Sequence, residues 1–261
     1  MPKSIVVSVL AKDKGYCLSF YLNCLLKQTF NKKHIHLYIR TNDNKDNTAD
    51  ILESFISKHG NKYASVHYDS SSIDDKIKSY KEHEWNSQRF NVLSKIRQES
   101  IDYAIKLNAH YFVSDCDNFI AKNVIESLYN DRSLGVIGPM LHKTKSAYYS
   151  NFHNVVDSDG YFQGNEMYYK ILDRSVKGKI QVDVIHCTYF IDNRLLSSVS
   201  YDDGSNRHEY VVFSDNLRKI GVNQYLDNSK FYGFLFLENN EQDMFSEFID
   251  LNWREEYLSM V

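Results

Sequence analysis

Two apolar runs of strand length near the amino end, Ile5-Val-Val-Ser-Val-Leu10 and Ile35-His-Leu-Tyr-Ile39, are each followed by a segment of helical period. This alternation restricts the fold more than any other feature of the chain. After the first run, Leu18, Leu22, Leu25 and Leu26 recur at helical spacing over residues 15–28. After the second, Ile51, Leu52, Phe55 and Ile56 form an apolar stripe, with Asp46 or Asn47 as a cap and Gly60 close to the end. A helix between two strands carries the chain back along the sheet, so the strands run the same way. The pattern predicts an α/β fold: a mixed, mainly parallel sheet flanked by helices.

The alternation continues. A polar stretch, Asp69-Ser-Ser-Ser-Ile-Asp-Asp-Lys76, leads to a long helix over residues 89–108, where Leu93, Ile96, Ser100, Tyr103, Ala104 and Leu107 mark the buried face. Later segments read as a helix near 121–130, a short strand Gly135-Val-Ile137 and Tyr- and Asn-rich loops over a cleft at 146–180. A strand Val184–Ile191, a helix near 208–220, a strand over Tyr232–Leu237 and a mostly helical tail follow. No internal repeat and no Pro/Gly/Ser-rich linker divides the chain, which predicts a single domain over 1–261.

The long helix delivers the chain into His110-Tyr-Phe-Val-Ser-Asp-Cys-Asp-Asn118, a buried strand ending on two carboxylates. Strand alternation puts Asp115 and Asp117 on one side and turns Cys116 away. Ligands of open α/β sheets bind beyond the carboxyl ends of the strands, and an oxygen-only pair suits Mg²⁺ or Mn²⁺ that also takes oxygens from a diphosphate. The local reading is a nucleotide-diphosphate site, against a solvated turn as the alternative.

Composition bounds the partners. Formal net charge is −3, so no basic field directs the chain to nucleic acid or to an anionic membrane surface. Cys17, Cys24, Cys116 and Cys187 are too dispersed for a disulfide framework and read as buried free thiols of a reducing compartment. Met-Pro-Lys-Ser runs straight into the first strand without a signal-peptide pattern, and apolar runs stop short of the ~18 residues of a membrane span. The expectation is a soluble, cytoplasmic protein with no membrane insertion.

Several blocks resemble, in order and spacing, the amino-terminal glycosyltransferase domain of the procollagen galactosyltransferases. They are Asp43-Asn-Lys-Asp-Asn-Thr48, Trp85-Asn-Ser-Gln-Arg-Phe90, Lys95-Ile-Arg-Gln98, Tyr111–Asn118, Gly138-Pro-Met-Leu141, Ala147–Phe152, Gly160-Tyr-Phe162, His186–Asp192 and Tyr232-Gly-Phe-Leu235. The resemblance covers nearly the whole chain. It implies a Rossmann-like GT-A fold, with a nucleotide-binding half (1–118) and an acceptor half with helical tail (119–261). It further implies inverting transfer of galactose or glucose from a UDP-sugar to hydroxylysine or galactosylhydroxylysine of collagen-like protein, with Mn²⁺ or Mg²⁺. Another glycan acceptor, or a catalytically silent module that binds UDP-sugar or collagen, are the alternatives. Two departures stand out. The family's members are secretory proteins with two such domains, whereas this chain resembles a free-standing one, and its Asn, Lys, Ile and Tyr richness suits an AT-rich genome such as that of a large DNA virus, with action in host cytoplasm. Where the family has a late His, this chain has Glu238-Asn-Asn-Glu241, which leaves a third metal ligand open.

The resemblance and the local chemistry assign expected roles. Asp117 binds metal directly, and Asp115 binds metal or reaches the ribose or sugar, with Cys116 between them in the UDP-sugar site. Thr41, Asn42 and Asp43 follow the second strand and read uracil or ribose, or form an ordinary polar turn. Trp85 stacks on a base or sugar, or packs the helix start. Arg97 contacts phosphate or ribose, with Arg89 nearby. For the base that takes the acceptor proton, Glu209 at a helix amino terminus is the first choice, with Asp192 and Asp203 as rivals. Tyr148, Asn151, Phe152 and His186 are assigned to the acceptor or sugar, the first three with loop packing and the last with a buried core histidine as the alternative.

Overall fold

The computed structural model describes residues 4–73, 86–143 and 148–236. Its first half contains β1 (Ile5–Ala11), α1 (Gly15–Leu26), β2 (Ile35–Thr41), α2 (Thr48–His59), β3 (Ser65–Asp69), α3 (Ser87–Lys106) and β4 (His110–Ser114). Then come β5 (Asn118–Ile120), α4 (Val124–Asn130), β6 (Val136–Pro139), β7 (His142–Lys143), β8 (Phe152–His153) and α5 (Glu166–Leu172). They are followed by β9 (Lys179–Val182), β10 (Val184–Ile185), β11 (Thr188–Ile191), α6 (Glu209–Lys219), β12 (Gln224–Asp227) and β13 (Gly233–Leu235).

Among the described residues eight strands form the main sheet in the order β3-β2-β1-β4-β11-β6-β12-β9. β1 pairs in parallel with both β2 and β4, whereas β11 enters antiparallel between β4 and β6. Helices cover both faces. Ile5, Val7 and Val9 of β1 pack with Leu18 and Leu22 of α1, Leu52 of α2 and Leu128 of α4; Val6 packs with Ile101 of α3, Ile171 of α5 and Phe213 of α6. A strand buried on both faces needs a continuous apolar run rather than alternation, and the Ile5–Leu10 sequence has that character.

Local sequence sets the helix starts. One Asp46 carboxylate accepts from the backbone N–H of Gly15 at 2.7 Å and of Thr48 at 3.0 Å, so it serves the first turns of both α1 and α2. Gly15 permits this approach, since a β-carbon there would lie 2.1 Å from Asn47 Oδ1. Asn86 caps α3 by accepting from Arg89 N–H at 3.1 Å.

Several expectations change. The stretch 184–191 is two strands, because Cys187 takes a left-handed conformation at φ 65° and turns the chain between them; β10 pairs with β8 in a separate two-stranded sheet. The loops of 146–180 contain β8, α5 and the start of β9. β3 and β12 also go unannounced in the sequence, and β5, β7 and β13 form a third small sheet. The tail beyond 236, with Glu238 and Glu241, lies outside the described residues. No helix among the described residues is long and apolar enough to cross a membrane.

Candidate active site

The carboxyl ends of β1, β2 and β4 share one edge of the sheet: Ala11 is opposite Thr41, and Ser114 is followed at once by Asp115. β4 ends at Ser114, so the two acids lie not on the strand but in a turn, closed by Asn118 N–H donating to Asp115 O at 2.9 Å. Asp115 N–H donates to Cys187 O at 2.9 Å, which ties this turn to the one that separates β10 from β11. Both acids keep the position at the edge that the sequence suggested, but each is held by a different cation.

Arg97 lies on the inner face of α3 and is 8% exposed. Its Nη2 donates to Asp115 Oδ1 at 2.9 Å and its Nε to Glu209 Oε1 at 3.3 Å. Burial works against the guanidinium, but the opposing charges of Asp115 and Glu209 outweigh it and push the Arg97 pKa further up. Its Nη1 is buried without a hydrogen-bond partner among the described residues, which leaves a charged donor available to an oxygen ligand. Glu209 opens α6 and is 7% exposed, so α3, the turn after β4 and α6 meet through one forked side chain. Asp117 pairs instead with Lys14, whose Nζ donates to Oδ2 at 2.7 Å and to Tyr16 OH at 3.2 Å. Burial opposes the Lys14 charge too, and Asp117 outweighs it, raising the lysine's pKa.

His186 is 5% exposed, with Nδ1 2.8 Å from Cys187 Sγ and Nε2 buried without a partner among the described residues. Its ring centroid lies 5.2 Å from that of Tyr210, 5.4 Å from that of His153 and 6.2 Å from that of Tyr149. Burial, then His153 and Arg97, lower the His186 pKa to about 3, and burial lowers that of His153 to about 4. Both imidazoles are therefore neutral at neutral pH.

Other expected residues distribute unevenly. Thr41, Asn42 and Asp43 are at the shared edge: Thr41 Oγ1 accepts from Asn44 Nδ2 at 2.7 Å, and Asp43 has φ 47° and accepts from Ser72 Oγ. Arg89 is in the first turn of α3, eight residues before Arg97, while Trp85 lies outside the described residues. Cys116 is 1% exposed, with its S–H directed to Leu10 O at 3.5 Å, so its side chain faces the core and not a ligand. Asn151 and Phe152 are corrections as well. Asn151 is fully buried, accepting from Leu141 N–H at 2.9 Å and donating to Pro139 O at 3.0 Å, and Phe152 is fully buried in the core against Tyr168. Tyr148 is 74% exposed beside Tyr169, whereas its neighbour Tyr149 faces His186.

Asp192 is at the wrong edge. Thr188 of β11 is opposite Ser114 and Ile191 is opposite Tyr111, so Asp192 follows at the amino end of β4, beside His110 at 3.5 Å and Arg194 at 2.7 Å. Asp203 is paired with Arg207 at 2.5 Å and its pKa is lowered to about 2, which makes it a poor proton acceptor. Lys14, Tyr149, His153 and Tyr210 were not singled out in the sequence. Two of them had a signal there: Lys14 as a cation in the β1–α1 connection, and Tyr149 as a member of the Ala147–Phe152 block.

No group of three or more His, Cys, Asp and Glu suited to a metal occurs among the described residues. Two carboxylates still fit a hard divalent ion that retains waters and takes its remaining oxygens from a diphosphate.

The mainly parallel mixed sheet with its antiparallel β11, flanked by helices, is a GT-A type fold. The fold is similar to that of S. aureus TarS 1-349 in complex with UDP-GlcNAc, with a TM-score of 0.58 and 14% identity over 90% of this chain and 59% of that one. It is also similar to the mannosyltransferase PcManGT from Pyrobaculum calidifontis in complex with GDP-Man and Mn²⁺, with a TM-score of 0.50 and 10% identity over 83% and 51% of the two chains. The sequence pattern of the glycosyltransferase family 25 N-terminal domain matches residues 1–251, and the chain belongs to that family. Among relatives, "Procollagen galactosyltransferase 1-B" of Xenopus laevis is 27% identical over 244 residues, 89% of this chain and 39% of the relative. "Inactive glycosyltransferase 25 family member 3" of Mus musculus is 26% identical over 89% of this chain and 40% of its own length. The chain thus spans about two fifths of the curated relatives it matches.

Proposed function

We propose that this domain transfers galactose or glucose from a UDP-sugar to the hydroxyl of hydroxylysine or galactosylhydroxylysine in collagen-like protein, with inversion at the anomeric carbon. The observation that carries the reading is the Arg97 fork, which holds an acid of the donor edge and an acid at the α6 amino terminus from one guanidinium. Single displacement requires a proton acceptor on the acceptor side while the leaving diphosphate departs on the other. Glu209 takes the hydroxyl proton, the acceptor oxygen bonds to the anomeric carbon, and the bond from that carbon to the diphosphate breaks. Asp115 and Asp117 would hold Mn²⁺ or Mg²⁺, which supplies positive charge against the negative charge that builds on the departing diphosphate. Arg97 fixes Asp115 and Glu209 relative to each other, and its buried Nη1 provides a donor for a phosphate or ribose oxygen. Thr41, Asn42 and Asp43 face the nucleoside, and His186 with Tyr149 borders the sugar or acceptor. The names of the Xenopus relatives support the collagen acceptor.

A second reading, a module that binds UDP-sugar or collagen without turnover, is favoured by the Lys14 ammonium on Asp117 and by the relatives named as inactive. One experiment separates the two: UDP release from UDP-galactose and UDP-glucose, with Mn²⁺ or EDTA, with and without a hydroxylysine peptide, bare or galactosylated. Peptide-stimulated, EDTA-sensitive release lost in Asp117→Ala supports transfer. Mn²⁺-dependent UDP binding with no release on either peptide sinks it.

A further inference from the structure

Arg97 and Lys14 both pair with acids at the donor edge, yet their surroundings differ. Arg97 is enclosed and committed to two carboxylates. The side chains of Lys14 and Asp117 keep 27% and 20% of their exposure, so their ion pair faces an arriving ligand. The backbone beneath Lys14 is fixed on several sides: its N–H donates to Thr48 Oγ1 at 2.8 Å, the Asp13 N–H to Asn44 Oδ1 at 3.0 Å, and the Gly15 N–H to Asp46 Oδ2 at 2.7 Å. A fixed backbone with a long, rotatable stem lets the ammonium move while its anchor stays in place. A ligand carrying two or more negative charges competes well against one carboxylate for the same cation.

We propose that Lys14 is a phosphate-binding residue for a nucleoside diphosphate: its Nζ rests on Asp117 in the free protein and passes to the diphosphate oxygens when the nucleotide binds. Asp117 is then released to face a divalent cation. The inference rests on the donor reading given above, but it places a protein-borne cation at the diphosphate that acts without metal.

The test is calorimetric titration of UDP and of uridine, in EDTA, into the wild-type chain, Lys14→Gln and Lys14→Arg. The contact predicts that Lys14→Gln weakens UDP binding at least tenfold, leaves uridine binding unchanged, and that Lys14→Arg restores most of the UDP affinity. Unchanged UDP binding in Lys14→Gln would overturn the inference alone, as would equal weakening of UDP and uridine, which marks a structural effect. A wild-type chain that binds UDP with Mn²⁺ but not in EDTA would overturn this inference alone, and one that binds UDP under neither condition would overturn the donor reading and this inference with it.

Discussion

Arg97 is a long cationic side chain held almost out of water, and its enclosure is tolerable only because two carboxylates share its charge. Arg97→Met would leave Glu209, itself 7% exposed, without its cation. Breaking a buried pair by removing one partner costs roughly 3–5 kcal/mol. Urea unfolding of the variant is expected to show a loss of that order; a loss below about 1 kcal/mol would mean that the fork does not exist in solution. Arg97→Lys is expected to recover only part, since one ammonium cannot reproduce two directed N–H groups on acids from different elements. Glu209→Gln keeps an oxygen for Arg97 Nε and removes the proposed proton acceptor. It should cost less stability than Arg97→Met and preserve UDP affinity, while lowering kcat on the productive acceptor by about 10²–10⁴-fold. Steady-state rates alongside UDP titration check this, and a full-rate variant would move the base elsewhere.

Pairing between elements depends on a few backbone conformations that side-chain chemistry does not advertise. Gly233 begins β13 at φ 136°, and a β-carbon there would lie 2.1 Å from Phe119 O. Gly233→Ala must therefore separate β13 from β5, the strand that leaves the Asp115–Asn118 turn. Strain plus clash is expected to cost at least about 2 kcal/mol, read as a lowered urea midpoint, while Cys187→Gly, which relieves a left-handed residue, should be neutral or stabilising. A tolerated Gly233→Ala would contradict the β5–β13 register. The same physics explains what the sequence concealed. β1, β2 and β4 were legible because burial on both faces demands apolar runs, and α1, α2 and α3 because one face of each is apolar. β3 is only half-buried, so Ser65-Val-His-Tyr-Asp69 needs no such run. Val184–Ile191 reads as one strand because its break falls on Cys187, with no Gly, Asn or Pro to mark it. Asp115 and Asp117 were legible because they follow directly on a buried apolar strand. Asp192 was misplaced because the antiparallel entry of β11 sends its carboxyl end to the opposite edge. Asn151 and Phe152 lie in and beside a two-residue strand, too short for alternation to assign a face.

At the scale of the whole molecule, enclosure of imidazoles couples the fold to pH. Burial lowers the pKa of His142 and His153 to about 4 and that of His186 to about 3; His142 packs against Phe231, while His153 and His186 pack against each other and against Tyr210. An unfolded chain takes up these protons near pH 6.5, while the folded protein refuses them until pH 3–4. Between those limits the unfolded state binds more protons, so stability falls as pH falls, by about 1.4 kcal/mol per pH unit for each imidazole fully titrated in the unfolded chain and neutral in the folded one. The contribution is fully present above pH 6.5 and declines as pH drops toward 4. Carboxylates with lowered pKa values, such as Asp46 and Asp215, act in the same direction but only below their own unfolded values near 3.8. Between 6.5 and about 4.5 the three histidines therefore set the fall, with Asp117, whose pKa burial raises, acting in the opposite direction. Urea midpoints measured at pH 8.0, 6.5, 5.5 and 4.5 should fall slightly across the first pair and progressively more across the rest, and His153→Gln should make that fall shallower. A midpoint that stays constant to pH 4.5 would show that these rings exchange protons freely with solvent, and the enclosed ground beside Glu209 and Cys187 would then be open to water before any acceptor arrives.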